Sequence, residues 1–335
     1  MTSIIVIHPG SLGDTILALP VLAALKSRHS SSLLHLVGHP TLVDVLPGRS
    51  AVDTMTSIEG PEYRGLFSQS EVPPKVSKFF QQFQFVVVWD ADRDGSIKEA
   101  LQSLKLSHFV VCSPGLSKKS DLHATDRFWA TLSDHMPSEP LPEPRLTATE
   151  SDRRAGTQWI SNNGINLDAD QLVAVHAGSG SPTKCWSPDS FARVVDGLQR
   201  NGAQVVLIEG PADREATQTI ASQIGMALPR LRDATLLNVI GVLSQCDAFL
   251  GNDSGLTHVA TVLGLPTVAV FGPTDPAIWG SRRNNLVPLR APRGSRCPAH
   301  AQTMCAHPGC FAISPDTVLK TLGEIRRSRS ASLAT

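Results

Sequence analysis

Short, continuous runs of β-branched and other apolar residues, separated by helix-length stretches, restrict this chain more than any other feature, and the pattern occurs twice. In the first half the runs are "SIIVIH" (3–8), "LLHLVG" (33–38), "FQFVVVWD" (83–90) and "SHFVVCS" (107–113). In the second half they are "LVAVHAGSG" (172–180), "AQVVLIEGPAD" (203–213), "DAFLGNDSG" (247–255) and "PTVAVFGPTDP" (266–276). A strand with one wet face alternates apolar and polar residues; a run without a polar face must be covered on both sides. Parallel sheets flanked by helices meet that demand. The expectation is therefore an α/β protein with two Rossmann-like, doubly wound parallel sheets, whose strand C-terminal edges face each other across a cleft.

Proline punctuation separates the halves. Residues 137–144 read "PSEPLPEP", four prolines in eight positions. Proline lacks an N–H and restricts its predecessor, so regular structure stops there. With a helix expected near 150–163, the sequence divides into a first domain over 1–165, with its linker at about 137–150, and a second over 166–335. The chain's 335 residues suit two cores of roughly 150 residues each. A formal net charge of zero gives no global attraction to nucleic acid. The N-terminus "MTSIIVIHPG" has no basic lead, and no run of about 18 apolar residues occurs, so a cytoplasmic protein is expected. Six cysteines fit a reducing compartment, and the Ser/Arg-rich "RRSRSASLAT" end reads as frayed.

Ligands of open α/β sheets sit at strand C-terminal ends, and three such loops carry suitable chemistry. In "HPGSLGDTILALPVL", Gly10 and Gly13 permit a tight turn, and Asp14 falls where the helix should begin. Two readings stand: Asp14 is a helix N-cap, or it is a carboxylate that deprotonates an alcohol. The spacing lacks the third glycine of a dinucleotide loop, and an acid there repels phosphate. In "VHAGSGSPTKCWSPDSF", the Gly178-Ser179-Gly180 turn offers N–H groups and Lys184 is a mobile cation within reach of a diphosphate. Ser187-Pro188 opens the next helix, and Trp186 reads as a packing anchor. In "FLGNDSGLTHVATVLG", a helix starting near Ser254 aims unpaired N–H groups beyond its N-terminus. Asp253 or Ser254 caps it, and His258 is on the Ser254 face.

Three segments carry a resemblance: "PGSLGDTILALPVLAALK", "VHAGSGSPTKCWSPDSFARVV" and "GNDSGLTHVATVLGLPTVAVFGPTDP" resemble the signatures of glycosyltransferase family 9, the lipopolysaccharide heptosyltransferases. The resemblance implies GT-B architecture and inverting, metal-independent transfer from an ADP-heptose donor to a lipid-linked inner-core acceptor, with no cofactor. By position it makes Asp14 the general base, with Gly13 beside it as an acceptor-binding residue. Lys184 becomes the diphosphate lysine, with Ser179 and Thr183 of the same loop as further donor-binding residues. Asp253, Ser254, Gly255, Leu256 and His258 match the family's Asp-Ser/Thr-Gly-x-x-His donor motif. "WDADRDGSIKEAL" resembles a strand-end segment in which Lys98 meets an anionic acceptor, with Asp92 and Arg93 replacing the family's Gln and Gly. Glu209 is the candidate ribose-binding acid, and Arg127, Lys118 and Lys119 are candidates for acceptor phosphates. Alternatives are a GT-B transferase or epimerase using another nucleotide sugar, and a non-catalytic nucleotide-sugar binder.

No Asp or Glu occurs between Pro276 and Pro315, where Arg282, Arg283, Arg290, Arg293 and Arg296 are found. Such a segment suits either an anionic membrane surface, for peripheral contact, or carboxylate partners elsewhere in the chain. Cys297, His300, Cys305 and Cys310 are soft ligands, but their spacing is not a standard zinc pattern, and no metal is assigned.

Overall fold

The computed structural model describes residues 3–29, 31–64, 66, 72–106, 108–116, 121–136, 140–167, 171–224, 228–291 and 311–333. Two compact units divide the chain, Met1–Thr147 and Ala148–Thr335. In the first, the order is β1 (Ser3–Ile7), α1 (Leu12–Arg28), β2 (Leu33–Gly38), β3 (Thr54–Ser57), α2 (Pro61–Arg64), α3 (Pro74–Phe80), β4 (Phe85–Val88), α4 (Ser96–Ser103), β5 (His108–Val111) and α5 (Ala124–Ala130). All strand pairs are parallel, in the order β3-β2-β1-β4-β5. β1 is central and the chain leaves it in both directions, which makes its C-terminal end the switch point where such sheets bind ligands. Ile5, Ile7, Val86 and Val88 face Tyr63, Phe80, Ile97 and Leu101 in one buried layer. Full burial stabilises each such aliphatic side chain by about 1.5–3 kcal/mol.

The second unit runs α6 (Glu150–Asn162), β6 (Leu172–His176), α7 (Pro188–Arg200), β7 (Gln204–Glu209), α8 (Arg214–Ile224), β8 (Arg230–Arg232), α9 (Leu236–Leu243), β9 (Ala248–Asn252), α10 (Gly255–Val262), β10 (Thr267–Phe271), α11 (Pro276–Trp279), β11 (Leu286–Arg290) and α12 (Pro315–Leu333). Its six strands are parallel in the order β11-β10-β9-β6-β7-β8. Val173, Val175, Leu250 and Val270 pack against Phe191 and Val195 of α7 and against Val318 and Leu322 of α12. Trp186 is buried in this core, edge-on to Phe191.

The two units part at Thr147, ahead of α6, where the punctuation had placed the boundary behind it. The reason is a close helix crossing. A Cβ built on Gly156 of α6 would stand 2.0 Å from the Gly241 carbonyl oxygen of α9, so two glycines let the backbones touch. The C-terminal stretch differs from its expected fraying: α12 continues to Leu333. After Gly323 this stretch has neither Gly nor Pro, and its three Arg and two Ala favour helix. Among the described residues no helix is long and apolar enough to cross a membrane.

Candidate active site

The second unit assembles its site at the C-terminal ends of β6, β9 and β10. Asn252, the last residue of β9, is fully buried. Its Oδ1 accepts from the Trp186 N–H at 2.9 Å, and its Nδ2 donates to the Ala177 carbonyl at 2.7 Å. The loop after β6 is thereby tied to the end of β9. Ser179 Oγ adds a hydrogen bond to the Asp253 carbonyl at 2.6 Å.

The Asp253 carboxylate, 4% exposed, is the hub. Lys184 Nζ and Thr274 Oγ1 both donate to Oδ2, at 2.9 and 2.6 Å. His258 Nε2 is 3.8 Å from Oδ1. Ser254 is the N-cap of α10, its Oγ accepting from the Thr257 N–H. The backbone N–H groups of Ser254, Gly255 and Leu256 have no partner among the described residues. One lysine ammonium and a row of amides thus share one strand end, a combination suited to a diphosphate.

Behind Ser254 is a buried pair that the motifs did not single out. His176 Nε2 and Asp213 Oδ2 are 2.9 Å apart, and the Gly210 N–H donates to the same oxygen at 3.2 Å. The other ring nitrogen, Nδ1, is 3.5 Å from Ser254 Oγ. Burial raises the Asp213 pKa, but the hydrogen bond and charge of His176 and the Gly210 amide outweigh it, and the net shift is downward. A Cβ at Gly178 would fall 1.8 Å from Asp213 Oδ1, so this close approach requires glycine.

Of the other expected donor residues, Thr183 bonds Ser181 at 2.9 Å in the short turn that carries Lys184. Glu209 is buried at the end of β7 and makes ion pairs with Arg232 at 3.4 Å and Arg230 at 3.8 Å on neighbouring β8.

In the first unit, Asp14 is not the N-cap. Ser11 caps α1, and Asp14 is the third helical residue, completing a capping box. Ser11 Oγ and N–H donate to Asp14 Oδ2 at 2.8 and 3.2 Å. Its Oδ1 takes no hydrogen bond among the described residues, which leaves it available as a base. Gly13, beside it, is half-buried. His8, the residue after β1, is buried edge-on to Trp89 and Phe128. Burial lowers its pKa to about 4, partly opposed by the Asp14 charge.

Lys98 is exposed at the start of α4. Asp92, in the position of the family's Gln, accepts from the N–H groups of Ile97 and Lys98 at 2.9 and 3.1 Å and so serves the helix start. Arg127 donates to the Leu122 carbonyl at 3.0 Å. Arg290 pairs with Asp275 at 2.9 Å, and Arg282 is exposed. Lys118, Lys119, Arg293, Arg296, Cys297, His300, Cys305 and Cys310 lie outside the described residues. Among the described residues no group of three or more His, Cys, Asp or Glu is placed to hold a metal ion.

The two parallel-sheet α/β units have the fold of GT-B proteins. The chain belongs to glycosyltransferase family 9 (heptosyltransferase), whose family model matches residues 109–306. It is 23% identical over 311 residues to lipopolysaccharide heptosyltransferase 3 of Escherichia coli K12, covering 85% of this chain and 87% of that protein. A family 9 glycosyl transferase structure from Veillonella parvula superposes with a TM-score of 0.80 at 20% identity, over 98% of this chain and 97% of that one. The Escherichia coli ADP-heptose LPS heptosyltransferase II gives 0.76 at 20% identity, over 98% and 100%.

Proposed function

We propose that the protein transfers heptose from ADP-heptose to an inner-core lipopolysaccharide acceptor, with inversion and without a metal ion. The second unit binds the donor and the first the acceptor. The observation that carries this reading is the row of amides at Ser254, Gly255 and Leu256, unpaired among the described residues, beside the Lys184 ammonium. Lysine has three N–H donors, and Asp253 takes one, leaving two for the diphosphate.

Inversion is a single displacement. Asp14 Oδ1 takes the proton of the acceptor hydroxyl as its oxygen attacks the anomeric carbon. The bond to the β-phosphate oxygen breaks, and its electron pair leaves with ADP, where the amides and Lys184 stabilise the charge. The reading requires Asp14 and the anomeric carbon to meet during turnover. Asp253 orients Lys184 and is available to a sugar hydroxyl. A lipid-linked acceptor brings the enzyme to the cytoplasmic face of the inner membrane, where exposed Arg282 favours peripheral contact.

A thermal-shift panel of ADP, UDP and GDP, followed by transfer from ADP-heptose in excess EDTA, tests the reading. Selective stabilisation by ADP and EDTA-resistant transfer are expected. Preference for another nucleotide redirects the donor class, and strict metal dependence removes the mechanism.

A further inference from the structure

Both ring nitrogens of His8 are buried and make no hydrogen bond among the described residues. Such side chains are rare in folded proteins, because one ring nitrogen carries a donor and the other a lone pair, and burying either unmatched costs stability. The neighbours offer no relief. Trp89 Nε1 donates to Thr131 Oγ1 at 2.9 Å, and Phe128 is apolar. A phenylalanine would fill the same slot with the same edge-on ring contacts and without the penalty.

The position of His8 argues for a ligand. It follows central strand β1 at the switch point of the first sheet. A methyl group on Gly10 would stand 2.5 Å from His8 Nε2 and 3.1 Å from Asp14 Cβ, so little more than the Gly10 backbone separates the imidazole from the proposed base. The ring is neutral at physiological pH, its pKa lowered to about 4 by burial. It therefore offers a donor and an acceptor together, which suits a sugar hydroxyl, and adds no cation to weaken Asp14 as a base.

We infer that His8 is an acceptor-binding residue, whose Nε2 edge hydrogen-bonds a hydroxyl of the acceptor sugar at Asp14 once the Pro9-Gly10-Ser11 turn is displaced. This rests on the proposed assignment of the first unit to the acceptor. The test compares wild type with His8→Phe and His8→Gln, whose amide reaches the Nε2 position. Initial rates are measured with ADP-heptose and de-O-acylated lipopolysaccharide from a heptose-free strain, alongside melting curves of the ligand-free proteins. His8→Phe is expected to raise Tm by about 2–4 °C, as relief of an unmatched buried group should in a domain of this size. The same variant raises the acceptor KM at least tenfold, keeps the ADP-heptose KM within twofold, and His8→Gln recovers most of the acceptor KM. An unchanged acceptor KM in His8→Phe overturns the inference. So does a lowered Tm, since it means His8 is held by a structural partner. If wild type itself fails to transfer to that glycan, the proposed function is what falls, and the melting curves still decide whether the imidazole is unmatched.

Discussion

Replacing Lys184 by alanine separates the two tasks that the structure gives this side chain. Its Nζ is 2.9 Å from Asp253 Oδ2, with the lysine side chain 34% exposed and the aspartate 4% exposed. Removing one partner of a fully buried pair costs about 3–5 kcal/mol, whereas an exposed pair contributes about 0–1 kcal/mol. With one end a third exposed and the abandoned carboxylate still bonded to Thr274, an intermediate loss of about 1–3 kcal/mol is expected. At about 2–4 °C per kcal/mol, Tm falls by roughly 3–10 °C. Loss of a charged hydrogen bond to the diphosphate, about 1.5–3 kcal/mol, raises the ADP Kd by roughly ten- to a hundredfold. Differential scanning calorimetry and isothermal titration with ADP read the two effects. Adding Asp253→Asn to Lys184→Ala should recover part of the lost Tm, because the unpaired buried charge disappears. A lowered Tm with unchanged ADP affinity would make Lys184 purely structural and refute the diphosphate assignment; an unchanged Tm would refute the ion pair.

Three further outcomes follow from the same geometry. Asp14→Asn keeps an acceptor for the Ser11 hydroxyl, so Tm and ADP binding change little, while transfer in a coupled ADP-release assay falls by about 10²–10⁴-fold. Gly156→Ala drives a methyl against the Gly241 carbonyl at 2.0 Å, where only backbone can yield; chemical denaturation should report a loss of about 3 kcal/mol or more. His8 makes the protein acid-labile over a defined window. In the unfolded chain it protonates near pH 6.5, but in the fold only near about 4, so the unfolded state binds more protons between those values. Stability is fully present above pH 6.5 and declines toward pH 4, by on the order of 3 kcal/mol. His8→Phe should reduce the slope of that stretch of the urea-midpoint profile, leaving what His35 and His29, whose pKa values burial also lowers, contribute. The depressed Asp213 carboxyl also loses its contribution as pH falls, but only below the ordinary carboxylate value of 3.8.

What was legible in the sequence was what repeats locally. Unbroken runs such as Val86–Val88 and Val205–Ile208 can only be doubly covered strands, and "GNDSG" after such a run marks a strand end feeding a helix. Helix ends were less legible. From sequence Asp14 falls at the start of α1, because Ser11 and Asp14 form a box whose partners satisfy each other, and either residue alone resembles a cap. The connectors were not legible at all. Asn252 joins positions 75 residues apart, His176 meets Asp213 across 37, and Thr274 reaches Asp253 across 21. Each looks like an ordinary polar residue until the parallel order β10-β9-β6-β7 brings the strand ends together. The one available signal was a polar residue closing an otherwise apolar run, as His176 and Asn252 do.

Asp253 raises the question of why an acid sits beside a phosphate site. By charge alone it opposes the donor, and Asp253→Asn should then tighten ADP binding. The geometry argues the reverse. Lys184 is carried by the loop after β6 and Thr274 by the loop after β10, and the same carboxylate oxygen holds both against the start of α10. A free lysine loses up to about 2 kcal/mol of rotamer entropy when it is fixed. Here that ordering is present before the ligand arrives, and preorganised groups bind with less loss. Because Asp253 is buried and already neutralised by an ammonium, the repulsion it adds is small, so the orienting effect outweighs it. Asp253→Asn is therefore expected to weaken ADP by about tenfold in isothermal titration, with the apparent affinity less sensitive to salt than in Lys184→Ala, which retains the acid without its partner. Tighter binding by Asp253→Asn would show that repulsion dominates and that Lys184 meets the diphosphate without guidance.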